Sequence, residues 1–228
     1  MSAAEIKVFS SPAARSALLE IAPQFEHSTG HKLLVDFTNI AACKKRIAAG
    51  EAFDVAFVSP ILIDELLQQG KIAAGTRLNV GRTGLGVIVQ KGAARPDVSS
   101  DDAFKRALLG ARTVLHAATG ESGIGFMAVL DRLGIAAEMK LKIRPSADLS
   151  GDVEAGAGDF GVAGIGAALA NSNIDYAGPL PPGIQQYVNL AGGISASARE
   201  LEAARAFFRY LQETAVVQVL KSKGLDPY

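Results

Sequence analysis

Short apolar runs alternate along this chain with stretches in which hydrophobic residues recur every three or four positions. Ile6 to Phe9 is the first such run, and Leu18, Ile21 and Phe25 then fall on one face of a helix. Because the same alternation is repeated several times, the pattern predicts an α/β protein whose strands are largely parallel.

Three of the predicted strand-to-helix junctions carry small hydroxyl or amide residues. Ser10-Ser11-Pro12 follows the first strand, Thr38-Asn39 follows a strand over Leu33 to Phe37, and Ser59-Pro60 follows a strand over Val55 to Val58. Ser, Thr and Asn accept a free N–H group at a helix start, and proline has none to leave unpaired. Ligands of open α/β sheets bind at the carboxyl ends of strands, so these junctions are predicted to contribute to an anion site.

Two long strands, Gly81 to Val89 and Tyr187 to Ile194, separate an N-terminal α/β unit from a middle one. The sequence therefore predicts two lobes, each a mixed sheet flanked by helices, joined by two crossing strands with a ligand cleft between. Lobe 1 is predicted to contain residues 1–80 and 190–228, and lobe 2 residues 81–189.

The middle and end of the chain predict further elements. Ser197 and Glu200 have the spacing of a capping box, which predicts a helix that follows them to about Gln212. The other expected elements are a strand over Thr113 to His116, a loop over Ala117 to Ser122, a helix over Gly123 to Leu133, and strands over Leu141 to Arg144 and Phe160 to Ala163.

Composition restricts the ligand class. The chain has 228 residues with 23 Lys+Arg and 23 Asp+Glu, so no net field attracts nucleic acid or an anionic membrane. One cysteine and three histidines exclude a disulfide framework and a multi-cysteine zinc site, and we expect neither a metal nor a cofactor. Without tryptophan and with 24 glycines, the chain suits a small polar ligand bound by backbone groups.

No apolar run approaches the roughly 18 residues of a membrane-spanning helix, and no export signal precedes Ile6. As the sequence stands, we expect a cytoplasmic protein without membrane insertion, or a periplasmic one if a leader has been removed.

Several side chains have both a structural and a functional interpretation. Arg82, beside Thr83 on the first crossing strand, could bind a carboxylate or form a salt bridge between lobes. The segment from Thr119 to Gly123 could be a flexible loop with a helix cap, or a ligand loop. His116 ends a buried strand beside it and is interpreted as a hydrogen-bonded strand-end residue or a functional one.

Other polar residues are assigned structural roles. His27 and His31 are interpreted as solvated turn residues, and Lys44-Lys45-Arg46 as a solvated helix face. Cys43 is interpreted as a small buried thiol, although the neighbouring cations could lower its pKa.

The order of motifs resembles the molybdate-binding-protein branch of the type 2 periplasmic binding proteins, a branch that also includes aconitate isomerase. The resemblance covers nearly the whole chain and implies that family's two-lobed α/β fold, with a ligand in the cleft. The motifs that carry it are Ile6-Lys7-Val8-Phe9-Ser10-Ser11, Ala22-Pro23-Gln24-Phe25-Glu26-x4-His31, Lys45-Arg46-Ile47-x2-Gly50, Phe53-Asp54-Val55-Ala56-Phe57-Val58-Ser59, Arg82-Thr83-Gly84-Leu85-Gly86-Val87, Ser122-Gly123-Ile124, Leu130-x2-Leu133-Gly134-Ile135, Gly178-Pro179-Leu180-Pro181, Ala191-Gly192-Gly193-Ile194-Ser195 and Leu220-Lys221-x2-Gly224.

The resemblance does not transfer a molybdate site. The family's oxyanion binders have two serines and a tyrosine where this chain has Ala13, Ile40 and Gly164. A site that lacks these donors loses on the order of 1–3 kcal/mol for each. An organic carboxylate is therefore expected in preference to molybdate.

Two functions follow. The preferred one is a non-catalytic, ABC-transporter-type binding protein for a small anion, with a permease partner if it is exported and with no nucleic-acid partner. The alternative is a cofactor-free isomerase of a small unsaturated di- or tricarboxylate, in which Glu121 or His116 moves a proton and Arg82 stabilises the enolate-like charge. The predicted ligand-binding residues are Ser10, Ser11, Thr38, Asn39, Ser59, Arg82, Thr83, Thr119, Ser122 and Gly123.

Overall fold

The structure is a computed structural model, and it describes residues 3–227. This part of the chain forms two compact units. Unit 1 contains the described residues up to Arg82 and those from Asn189 onward, and unit 2 is Thr83–Val188.

The elements alternate between strands and helices, as the hydrophobic pattern predicts. In chain order they are β1 (Glu5–Ser10), a 3-10 turn (Pro12–Ala14), α1 (Arg15–Thr29), β2 (Lys32–Phe37), α2 (Ile40–Ala48), β3 (Val55–Val58), α3 (Pro60–Gln68), β4 (Leu78–Gln90), α4 (Asp101–Gly110), β5 (Val114–Ala117), α5 (Glu121–Arg132), α6 (Ala136–Met139), β6 (Ile143–Ser146), α7 (Leu149–Glu154), β7 (Phe160–Gly164), α8 (Ile165–Ala168), β8 (Ile174–Pro179), β9 (Tyr187–Ile194), α9 (Leu201–Tyr210) and α10 (Thr214–Ser222).

In unit 1 the strand order is β2-β1-β3-β9. Strand β1 is parallel to both of its neighbours, with Ser10 opposite Phe37 on β2 and Phe57 on β3. Strand β9 runs antiparallel to β3, with Ile194 opposite Val55. The chain thus returns to unit 1 to complete its sheet.

The core of unit 1 is built around aromatic contacts between elements that are distant in sequence. The rings of Phe25 on α1 and Phe207 on α9 are 4.9 Å apart, and Phe57 on β3 stacks on Phe208 at 5.8 Å. All four side chains are buried. Because aromatic side chains bury large areas, these contacts fix α9 against the first half of the unit.

The buried carboxylate of Asp54 connects three segments of unit 1. Its Oδ2 accepts the N–H of Lys7 at 2.9 Å, and its Oδ1 accepts the N–H groups of Arg199 at 2.8 Å and Glu200 at 3.2 Å. Asp54 thereby binds free backbone donors just before α9, which begins at Leu201 without a side-chain cap from its own N-cap, Glu200. The capping box predicted for Ser197 and Glu200 is therefore wrong.

In unit 2 the strand order is β4-β7-β5-β6, and β8 also pairs with β4. Strand β5 is parallel to β6 and β7, whereas β4 is antiparallel to β7 and β8. Apolar clusters lie on both faces, one containing Phe104 and Phe126, the other Leu115 and Val153. Each unit is therefore a mixed sheet flanked by helices, as predicted.

The strand boundaries in the structure show which strands the sequence pattern predicts correctly. The predictions for β3 and β9 are confirmed to the residue. The strand predicted over Leu141 to Arg144 is wrong by two residues, since β6 is Ile143–Ser146 and Leu141 is 96% exposed. Strand β8 was not predicted.

Two surface assignments also differ from expectation. His31 is buried rather than a solvated turn residue, because its Nδ1 accepts the N–H of Ala4 at 3.3 Å and its ring lies 6.3 Å from that of Phe25. Arg46 does not belong to a solvated face, since its guanidinium lies over Phe9 and pairs with Asp36 at 2.6 Å and Glu51 at 2.7 Å. Within residues 3–227, no helix is long and apolar enough to cross a membrane.

We expect Asp54→Ala to destabilise unit 1 by about 2–4 kcal/mol, because three backbone donors lose a charged acceptor together. Asp54→Asn keeps one acceptor oxygen and is expected to cost less. Urea unfolding followed by circular dichroism measures both. Asp64→Ala removes only an exposed pair with Arg77 and serves as the control, with a change below about 1 kcal/mol. Equal effects of Asp54→Ala and Asp64→Ala would show that Asp54 does not hold these segments.

Candidate functional site

The five polar residues predicted at the ends of β1, β2 and β3 lie at one edge of the unit 1 sheet. Ser11 donates its N–H to the carbonyl of Phe57 at 2.7 Å, and Thr38 donates its N–H to that of Ser10 at 2.9 Å. These bonds extend the parallel strands by one residue and bring their carboxyl ends together. The residues at this edge are Ser10, Ser11, Thr38, Asn39 and Ser59.

Three of these side chains cap the helices that follow. Ser11 Oγ accepts the N–H of Ala13 at 3.3 Å, Asn39 Oδ1 that of Ala42 at 2.9 Å, and Ser59 Oγ that of Leu62 at 3.4 Å. Capping uses only acceptor lone pairs, so the hydroxyl and amide hydrogens remain able to donate. The caps predicted from sequence are therefore confirmed, and each still carries a donor suited to an anion.

Ser10 and Thr83 are fully buried, and each is held by a backbone group. Ser10 Oγ donates to the carbonyl of Ser11 at 3.1 Å, so its hydrogen is already used. Thr83 Oγ1 accepts the N–H of Gly166 at 3.2 Å at the start of α8. Their first role is structural, and only Thr83 keeps a hydrogen to donate.

In unit 2 the segment predicted as a loop before α5 is already helical at Glu121 and Ser122. Gly120 is the N-cap, with a φ of 91°, and it provides no side-chain cap. Since the first N–H groups of a helix have no partner within it, the start of α5 presents backbone donors without a capping side chain. Thr119, just before it, is exposed.

Gly123 allows α5 to begin against the end of β5. A Cβ atom at this position would lie 2.2 Å from the carbonyl oxygen of Ala117. Any other residue would therefore displace the first turn of α5 from the strand. The glycine that the sequence assigned to a ligand loop has a packing role at the same place.

Two buried polar atoms of unit 2 have no hydrogen-bond partner: Glu121 Oε2, at the start of α5, and Ser146 Oγ, at the end of β6. Burial raises the pKa of Glu121. Ser146 is opposite Ala117 in the β5–β6 register, and its carbonyl accepts the N–H of Ala118 at 2.8 Å. Both orphaned atoms therefore belong to residues at the carboxyl edge of β5 and β6.

Ser146 was missed by sequence reasoning. The strand over Leu141 to Arg144 was placed two residues too early, which left Ser146 outside any element. The available signal was a small polar residue at the end of a parallel strand, as at Ser10 and Ser59.

His116 and Arg82 have different surroundings. His116 is buried, with Nδ1 3.0 Å from the carbonyl oxygen of Ala117 and its ring 5.7 Å from that of Phe126, as expected of a strand-end residue with a partner. Arg82 is exposed, and its backbone exchanges two hydrogen bonds with Asp226, at 2.6 and 2.8 Å. The structure thus fixes the backbone of Arg82 while its side chain reaches the surface.

Cys43 is buried, and burial raises the pKa of its thiol to about 11. Burial is the largest of several influences on this pKa. This agrees with the interpretation of a small buried thiol rather than an activated one. In the part of the chain that the structure describes, no group of three or more His, Cys, Asp or Glu side chains could hold a metal ion.

Two mixed α/β units with capped helix starts at the ends of parallel strands are the architecture of a type 2 periplasmic binding protein. Residues 6–226 match the family of bacterial extracellular solute-binding proteins, and the chain belongs to that family. The resemblance inferred from the sequence motifs is confirmed.

Individual relatives agree with this family. The chain is 27% identical to an aconitate isomerase from Pseudomonas sp over 97% of its length and 87% of the relative's. It is 24% identical to the molybdate-binding protein ModA of Azotobacter vinelandii, covering 97% and 90% of the two chains. The solved structure of the A. vinelandii periplasmic molybdate-binding protein matches with a TM-score of 0.81 at 19% identity, over 96% of this chain and 98% of that one.

We expect Gly123→Ala to destabilise the protein by about 1–3 kcal/mol, because the added Cβ overlaps the Ala117 carbonyl. Gly110→Ala is the matched control, since Gly110 ends α4 with no atom within 4 Å of its Cβ position. Alanine is favoured over glycine in a helix, so this control should be neutral or slightly stabilising. Thermal unfolding of both variants checks the expectation, and equal melting temperatures would contradict it.

Proposed function

We propose that this chain is a solute-binding protein of the ABC-transporter type that binds a small organic carboxylate. The observation that carries the proposal is the start of α5, where backbone N–H groups lack a side-chain cap. A helix start of this kind favours an anion through its free donors and the helix dipole. The capping residues Ser11, Asn39 and Ser59 add donors at the ends of β1, β2 and β3.

The proposed set of ligand-binding residues is the one predicted from the sequence, but the roles of some of its members change in two respects. Ser10 contributes a fixed backbone rather than a free hydroxyl, and the N–H groups of Ser122 and Gly123 become the principal donors of unit 2. The remaining proposed binding residues are Ser11, Thr38, Asn39, Ser59, Arg82, Thr83 and Thr119.

Three positions argue for a ligand other than molybdate. Ala13 has no hydroxyl, and Ile40 packs partly buried against an apolar cluster of unit 1. Nothing lies within 4 Å of where a side chain at Gly164 would begin, so the family's tyrosine is replaced by open space at the end of β7. A larger ligand with its own polar groups suits this arrangement better than a tetrahedral oxyanion.

A second function, a cofactor-free carboxylate isomerase, is supported by the aconitate isomerase relative and by Glu121. Burial raises the pKa of Glu121, which makes its ionised form a stronger base. In this alternative Glu121 moves the proton, with His116 as the second candidate, and Arg82 and the α5 N–H groups stabilise the developing charge. The binding function is preferred because Glu121 Oε2, on the first-named candidate base, has no hydrogen-bond partner that would orient it.

Family membership supports action outside the cytoplasmic membrane, with an ABC permease as partner. For the binding protein we propose a periplasmic or cell-surface location. For the isomerase alternative we propose a cytoplasmic one. Fractionation of the native producing cells distinguishes the two.

A thermal-shift screen of small carboxylates and oxyanions, followed by calorimetric titration, tests the proposed function. Carboxylates are expected to raise the melting temperature, since a ligand that binds only the folded state stabilises it. Stabilisation by molybdate or sulfate, with no response to any carboxylate, would contradict the proposal. Incubating each hit in deuterated water and following its protons by NMR separates binding from isomerisation: exchange or conversion favours the enzyme.

Arg82→Ala is expected to weaken binding of the best carboxylate about tenfold, because one charge-assisted hydrogen bond is lost. Arg209→Ala removes an exposed arginine from the last turn of α9 and is the matched control. Unchanged affinity in Arg82→Ala would remove this residue from the site.

A further inference from the structure

We infer that Glu121 and Ser146 recognise a hydroxyl group, so that the ligand is a hydroxycarboxylate. This inference rests on the proposed function and specifies the class of carboxylate. It starts from the two orphaned polar atoms, Glu121 Oε2 and Ser146 Oγ.

Both residues lie in one part of unit 2. The Ala117 carbonyl abuts Gly123 in the first turn of α5, and Ala117 is opposite Ser146 in the β5–β6 register. The N–H of Ala118 bonds the carbonyl of Ser146. The start of α5 therefore adjoins the end of β5, and the end of β5 pairs with the end of β6. This places Glu121 and Ser146, which carry the orphaned atoms, at one edge of the sheet.

Unpaired buried polar atoms are costly, since an unsatisfied buried group loses about 1–3 kcal/mol. Ser146 is only 4% exposed, so its hydroxyl has little contact with bulk solvent in this structure. Such atoms are rare in native proteins and call for a partner, and a bound ligand is one group that can supply it. We take Ser146 Oγ and Glu121 Oε2 as positions where the ligand's polar groups bind.

The chemistry of the two groups selects the partner. An ionised carboxylate only accepts hydrogen bonds, and it repels another carboxylate or a fully ionised oxyanion. A ligand oxygen beside Glu121 must therefore carry a hydrogen when Glu121 is ionised. A serine hydroxyl both donates and accepts, so Ser146 is compatible with the same O–H group.

The start of α5 favours an anionic ligand oxygen, in contrast to the O–H group that the neighbouring carboxylate of Glu121 favours. The N–H groups of Ser122 and Gly123 favour an anionic oxygen, whereas Glu121 favours an O–H. One molecule satisfies both when it has a carboxylate and a hydroxyl on nearby atoms. A hydroxycarboxylate has this arrangement, and molybdate and sulfate, ionised at neutral pH, do not.

Citrate and tricarballylate differ by a single hydroxyl and are the first probe pair, with malate and succinate as the second. Calorimetric titration of the full chain at neutral pH is expected to show each hydroxylated acid binding at least about tenfold more tightly than its deoxy partner. Equal affinities within both pairs would overturn the inference.

Three variants locate the preference. Glu121→Met removes the acceptor and should bring the citrate-to-tricarballylate affinity ratio close to one, while Glu121→Gln retains an amide oxygen and should preserve part of it. Ser146→Ala should lower the ratio several-fold. Glu138→Met, on α6 and exposed, is the matched control and should leave the ratio unchanged. The ratio compares two ligands on one variant, so it also reports on a variant with reduced stability. A ratio that stays at its wild-type value in both Glu121→Met and Ser146→Ala would overturn the assignment.

The outcomes separate this inference from the proposed function. If carboxylates bind without regard to the hydroxyl, the inference fails and the proposed function stands. If only phosphate binds, and sulfate does not, Glu121 and Ser146 still recognise an O–H, but the ligand is not a hydroxycarboxylate and both the inferred ligand class and the carboxylate function fail. If molybdate and sulfate bind in preference to every organic acid, both fail.

Discussion

The buried carboxylate of Asp54 is the interaction on which the assembly of unit 1 depends. Unit 1 is discontinuous in sequence, because its last strand and C-terminal helices come from residues beyond unit 2. Asp54 accepts an N–H of β1 and two N–H groups just before α9, and so ties the returning segment to the first strand. The aromatic contacts of Phe57 and Phe25 with α9 add apolar area, but area alone does not determine the register of a returning chain. A charged acceptor that binds three backbone N–H groups in fixed directions determines where the returning chain lies.

The location of Asp54 separates its stabilising contacts from the proposed binding residues. Asp54 immediately precedes β3, at the amino end of that strand, where both of its oxygens accept backbone N–H groups. At the carboxyl ends the donors are satisfied only in part, since the capping hydroxyls keep hydrogens and α5 has no side-chain cap. In unit 2 this incompleteness extends to two polar atoms without partners. Asp54 is thus bonded through both oxygens, whereas the polar groups at the proposed ligand edge are bonded only in part.

The sequence predicts those parts of the fold that depend on local chemistry. Ser11, Asn39 and Ser59 were identified as caps because a small polar residue at a helix start acts on its own neighbours. The parallel strands of unit 1 were found through their apolar runs. Contacts between distant segments were not predictable in this way: Asp54 replaces the expected capping box at α9, and His31 is buried by Ala4 and Phe25. Strand β6 was misplaced because only Ser146 of its four residues is buried, so the strand lacks the apolar run that marks the other strands.

At the candidate site, too, the sequence predicts the residue types but not the contacts that depend on distant segments. The residue types at the α5 start were evident from sequence, but the orphaned state of Glu121 and Ser146 depends on packing.

A receptor needs groups complementary to the bound ligand, whereas an isomerase must bind the transition state more tightly than the substrate. The uncapped α5 start serves either purpose, since it stabilises a carboxylate and an enolate alike. Glu121 distinguishes them: as a hydrogen-bond partner of a ligand hydroxyl it stabilises the ground state, and as a base it acts only on a proton next to a carboxylate. The proposed recognition of a hydroxyl would engage Glu121 in binding, and an experimental demonstration of it would favour a receptor over an enzyme at this site.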